Sequence, residues 1–76
     1  SYLIDGGAHL RLVNRSLDWE LPLDGPKTLS GLITEYLETI PESNVCLRLG
    51  DYRIEILQIM DNRIRTAKVS RANPAP

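Results

Sequence analysis

Few side chains in this sequence are equipped for chemistry, and their types limit what each can do. His9 is the only histidine and Cys46 the only cysteine. A thiol beside an imidazole makes a nucleophile and its base, provided a third group orients the ring. The local pattern instead reads His9 as the start of a helix and Cys46 as a small residue filling a strand, so no catalytic residue is assigned. Asp18, Glu20 and Asp24 carry the carboxylate oxygens that hard cations prefer. Their spacing is not that of an EF-hand loop, and Pro22 lies among them. They read as a solvated acidic linker, and no metal ligand is assigned. Arg48, Arg53, Arg63 and Arg65, with Lys68 close by, form the remaining set. Gathered on one sheet face, the four arginines are a candidate anion or ligand face for a phosphate, an acidic partner or anionic lipid.

Charge is unevenly spread. Residues 1–45 hold seven acids and three bases, and residues 46–76 hold three acids and six bases. The chain is therefore acidic in its first part and basic in its second, which can place opposite potentials on two faces. With a net charge of −1 and no aromatic stacking platform, nucleic acid is not an expected partner. A single thiol excludes an intramolecular disulfide. No apolar run approaches the roughly 20 residues a membrane helix needs. At 76 residues there is material for one domain and a small core. The chain opens on Ser rather than Met and reads as a fragment of a longer protein, with residues 1–72 as one domain and 73–76 as a frayed tail.

The elements that must position these groups follow from periodicity. Tyr2-Leu3-Ile4 reads as a short strand stopped by the turn residues Asp5-Gly6-Gly7. Leu10, Val13 and Leu17 recur at helical spacing, with Leu12 off their stripe. Pro22 and Pro26 break any helix between Leu21 and Pro26, a linker anchored by Leu21 and Leu23. Leu29, Leu32, Ile33, Tyr36, Leu37 and Ile40 then mark one face of a longer helix, capped by Thr28 and ended by Pro41. Gly31 inside it is expected where the helix approaches the sheet closely. After residue 44 the period becomes two: Val45, Leu47 and Leu49, then Tyr52, Ile54 and Ile56 across a Gly50-Asp51 turn. The phase slips at Leu57 and again after Ile64, as a β-bulge requires. Asp61-Asn62 marks a second hairpin, before Ile64, Ala67 and Val69. The fold class is α+β: a two-layer domain of strand, helix, longer helix and three-stranded antiparallel meander. Trp19, Leu57 and Met60 are candidate interface residues, and a partner domain or second copy is expected where both parities of the sheet turn apolar near Ile56-Leu57.

Asp5-Gly6 after a short strand, Leu10-x-x-Val13-Asn14-x-x-Leu17, Leu21-Pro22, Thr28-Leu29-Ser30-Gly31-Leu32-Ile33, Ile40-Pro41, Gly50, Ile54-Glu55-Ile56-Leu57 and Asn62-Arg63-Ile64 resemble the transporter-associated (CorC/HlyC) domain in order and spacing. The resemblance spans residues 2–70. It implies a non-catalytic, cytosolic domain that follows a pair of nucleotide-binding CBS domains in magnesium and cobalt transport or hemolysin-like proteins of the inner membrane. The expected partners are those CBS domains, with a homodimer as a further expectation, and the membrane is met only through the parent chain. The family's fold is similar to part of a flavin-binding domain, so the resemblance also brings FAD or ATP as ligands of an alternative, small-ligand reading. This sequence departs from the flavoenzymes there: Gly6-Gly7 is a turn signal, not a glycine-rich loop able to wrap a pyrophosphate.

Overall fold

The computed structural model describes residues 1–39, 41 and 45–71. Its elements are β1 (Tyr2–Asp5), α1 (Leu10–Leu17), α2 (Leu29–Leu37), β2 (Cys46–Leu49), β3 (Tyr52–Met60) and β4 (Arg63–Arg71). The strands form one antiparallel sheet in the order β1-β4-β3-β2. The expected α+β meander is β2-β3-β4, and β1 pairs with β4 to make a fourth strand. Expectations for Ile40, for the break at 42–44 and for the tail lie outside the described residues.

Register sorts the side chains onto two faces. Tyr2 and Ile4 stand opposite Val69 and Ala67, which stand opposite Ile54 and Ile56, and Ile54 stands opposite Leu47. That face is the core. It packs against Leu10 and Val13 of α1, Trp19 and Leu21 of the linker, and Leu29, Leu32 and Ile33 of α2. The two phase slips read from the sequence are real and compensate one another. Leu57 is the extra residue in β3 and Arg65 the extra residue in β4, flanking the Gln58–Thr66 pair. Each strand thus gains one residue, and Ile59 opposite Ile64 returns to the core parity. Asp61 and Asn62 close the hairpin with φ of 54° and 62°. Positive φ at both central residues suits the right-handed twist of the strands.

The β4 bulge is where three segments meet. Gly6 N–H donates to the Arg65 carbonyl at 2.8 Å, and Ser30 N–H donates to the Gly6 carbonyl at 2.7 Å. Ile64 N–H donates to Ser30 Oγ at 3.3 Å. A methyl group on Gly6 would lie 1.8 Å from the Ile64 carbonyl oxygen, so only glycine allows this approach. A second clamp holds the linker. Asn14 Nδ2 donates to the Leu21 carbonyl and Asn14 Oδ1 accepts from Leu21 N–H, both at 2.9 Å. One amide side chain thereby satisfies both main-chain groups of a residue in a segment that has no ladder. Beside it, Glu20 N–H donates to the Tyr52 hydroxyl at 2.7 Å.

Several local expectations need correction. Helix α2 ends at Leu37, with Glu38 left-handed at φ 60°, before Pro41 is reached. The backbone leaves the helix through a left-handed C-cap at Glu38, a common way for a helix to end. Tyr36, read as part of the buried stripe, is exposed at the last turn, while Leu29, Leu32 and Ile33 are buried. Thr28 does cap α2, its hydroxyl accepting from Gly31 N–H at 3.2 Å. Gly31 faces Pro26 of the preceding loop rather than the sheet, with 3.0 Å between its missing methyl and Pro26 Cβ. Leu21 anchors the linker, but Leu23 is exposed. Cys46 does not fill the interior: it stands opposite Glu55 on the outer face and is exposed.

Candidate interaction surface

The helices cover one face of the sheet, and alternation then dictates what the other presents. Across the strands, one row reads Leu3, Lys68, Glu55 and Cys46, and the next reads Ser70, Arg53 and Arg48. Lys68 and Glu55 oppose each other with opposite charge. Arg53 and Arg48 oppose each other with like charge, an arrangement that costs stability in an isolated sheet. Among the described residues, Arg48 Nε makes only a long 3.4 Å contact, to the Gly50 carbonyl. Ser70, the neighbour of Arg53 on β4, brings no charge to this pair.

The four arginines named from the sequence do not form one cluster. Arg63 stands opposite Met60 at the far end of the β3–β4 hairpin, and Arg65 is the bulge residue. Arg53 and Met60 are seven positions apart along β3, roughly 20 Å of extended chain. Arg63 and Arg65 line an open cleft of about 570 Å³ with Asp5, Gly7, Met60, Asp61 and Ile64, where two carboxylates offset their charge. Of the three candidate interface residues, Trp19 belongs to the core and is 8% exposed. Its ring lies 5.6 Å from Tyr2 and 5.2 Å from Tyr52, centroid to centroid. A chain this small uses its largest side chain internally. Leu57 and Met60 are exposed, at the bulge and near the hairpin tip.

Phosphate recognition by backbone needs unspent amides at a helix N-terminus or turn. At the Gly6–Gly7 turn and over the first residues of α2 they are spent. Gly6, Ala8, Leu29 and Ser30 N–H groups donate to main-chain carbonyls, Gly7 N–H to Asp5 Oδ1 and Gly31 N–H to Thr28 Oγ1. The residues present do not fit the pyrophosphate of FAD or ATP at this turn. Among the described residues, no three His, Cys, Asp or Glu side chains converge as a metal site would require. His9 bridges to Thr28 in the helical layer, while Cys46 lies on the outer face of the sheet, so the two do not make a catalytic pair.

Asn14, Ser30 and Tyr52 escape a sequence reading as contact residues, because each bonds to main chain seven to 34 positions away. Exposed Tyr2, Leu3, Leu12 and Leu23 also escape it; Leu12's place off the helical stripe is the one signal.

Comparison with known proteins places this architecture. The family profile described as transporter associated domain (CorC/HlyC) matches residues 1–73. The UPF0053 inner membrane protein YfjD of Escherichia coli is 42% identical over 74 residues, covering 97% of this chain and 17% of that protein. This chain therefore spans about a sixth of that relative's length. The crystal structure of a functionally unknown conserved protein from Haemophilus influenzae superposes with a TM-score of 0.86 at 40% identity, covering 91% of this chain and 85% of the other. A CorC/HlyC domain from a Xylella fastidiosa hemolysin, solved in complex with Mg²⁺ and Mn²⁺, superposes at 0.77 with 28% identity, covering 91% and 84%. No helix among the described residues is long and apolar enough to cross a membrane. The chain belongs to the transporter-associated (CorC/HlyC) domain family.

Proposed function

We propose that this transporter-associated domain is a non-catalytic regulatory module of a larger inner-membrane ion-transport protein of the magnesium and cobalt efflux type. It works on the cytosolic side by docking against neighbouring CBS domains of the same parent chain. The observation that carries this reading is the outer sheet face, where Arg48 and Arg53 oppose each other without a charged neighbour of opposite sign in their own row. A like-charge pair that weakens the isolated domain is rational if an acidic surface neutralises it on docking. Family membership and the small share of the relative that this chain spans support a module within a longer protein.

The alternative reading, a small-ligand module for an adenine or flavin nucleotide, would have to rest on the arginine side chains, because the main-chain donors of the Gly6–Gly7 turn and of the start of α2 are already used. Calorimetric titration of the chain with FAD and with ATP, with and without magnesium, separates the two. Docking predicts no saturable heat for either nucleotide. It also predicts that charge reversal at Arg48 and Arg53 in the parent protein alters magnesium efflux while the domain remains folded. One-to-one saturable binding would overturn the docking account in favour of the ligand module, and unchanged efflux in the reversed parent would remove the outer face from it.

A further inference from the structure

The two edges of the sheet are built differently. β2 presents Cys46 and Arg48 outward, and a charged residue at an edge discourages pairing with other chains. β1 has no such guard from Tyr2 to Ile4. Tyr2 is 51% exposed, Leu3 70% and, on the adjoining surface of α1, Leu12 56%. These side chains, with Ile4, Val13, Ser16 and Leu17, line an open groove of about 270 Å³ along the strand. Leu12 also borders a second cleft of about 290 Å³ that includes exposed Leu23. Tyr2, Leu3, Leu12 and Leu23 are thus gathered around one edge and one helix, an apolar patch on the order of 400 Å² of the kind that marks a contact surface.

We propose that this surface pairs with a second copy of the same chain, β1 lying antiparallel to β1 so that two four-stranded sheets become one of eight strands. The sequence of the edge is compatible with itself. A two-fold axis through Leu3 sets Leu3 against Leu3, Tyr2 against Ile4, and Asp5 against Ser1, so no like charges meet. Strand addition satisfies the outward main-chain groups of both edges, and the apolar side chains of β1 and α1 exclude water around them. The patch is about half of what a partner contributes to a standard stable interface, so a weak dimer is expected. Such an affinity becomes effective when copies are held together by a parent protein. This inference stands apart from the docking role of the outer face, and its test involves neither CBS domains nor transport.

Sedimentation equilibrium of the 76-residue chain tests it, with the mass expected to rise from 8.6 kDa toward twice that value with concentration. Leu3→Lys puts a charge at the centre of the paired edge and is expected to weaken association at least ~10-fold. Leu12→Glu, on the helix rather than the strand, is expected to act in the same direction. Leu57→Lys, at the β3 bulge, is expected to leave the dimer unchanged. A chain that stays monomeric at ~1 mM would overturn the proposal. So would a dimer that survives both edge variants or dissociates with Leu57→Lys.

Discussion

Replacing Gly6 with alanine is the most searching perturbation of this fold. The new methyl would lie 1.8 Å from the Ile64 carbonyl oxygen and 2.7 Å from its carbon, atoms of main chain that no rotamer change can move. Reaching even the 3.0 Å lower limit of real contacts demands a shift of roughly 1.2 Å. That shift pulls the β1–α1 turn off the β4 bulge and is expected to break Gly6 N–H to Arg65, Ser30 N–H to Gly6 and the long Ile64 N–H to Ser30 Oγ bond. Three hydrogen bonds at about 1 kcal/mol each give a loss of about 3 kcal/mol. A domain of 76 residues has about 4–11 kcal/mol in total. The expected fall in Tm is about 12–24 °C, at about 4–8 °C per kcal/mol for a domain of this size. Thermal unfolding followed by circular dichroism, with Trp19 fluorescence as an independent probe, measures it. Gly7→Ala is the matched control. Its methyl meets only Asp5 Oδ1, at 3.3 Å, and a side chain can yield, so a loss below about 1 kcal/mol is expected. A Tm for Gly6→Ala within about 4 °C of the parent, or equal losses for the two variants, would refute the reasoning.

Two further perturbations probe the linker clamp and the outer face. Asn14→Leu removes both bonds to Leu21 and strands a partly buried N–H and carbonyl, so urea denaturation is expected to register a loss of about 2–3 kcal/mol. Arg48→Glu turns the like-charged pair with Arg53 into an opposite-charged one and is expected to raise the stability of the isolated domain by up to about 1 kcal/mol, the gain shrinking with added salt.

The elements were legible because each left a local signal. Period two over Tyr52–Ile56 and period 3.6 over Leu29–Ile33 report which residues face the core wherever the core lies. The slips at Leu57 and after Ile64 were legible for the same reason, since a bulge displaces every later side chain by one parity. Asp61-Asn62 marked its turn because few residues tolerate positive φ. The end of α2 was less legible, as Pro41 bounds a helix without specifying how far ahead of it the backbone leaves the helical region.

What the amino-acid order determined by itself was therefore the set of elements and most of the residues each one buries, carried by periods local in sequence, and the family to which the chain belongs, carried by short motifs in a fixed order. Tertiary structure alone decided that β1 closes on β4, that Gly6 is pressed against the bulge, and that Arg48 and Arg53 stand together while Arg63 and Arg65 do not. It also placed Trp19 in the core and left Tyr2, Leu3 and Leu12 at an unguarded edge. These outcomes depend on which distant strands become neighbours and in what register. Strand pairing is a contest among long-range alternatives, and no local period records its result.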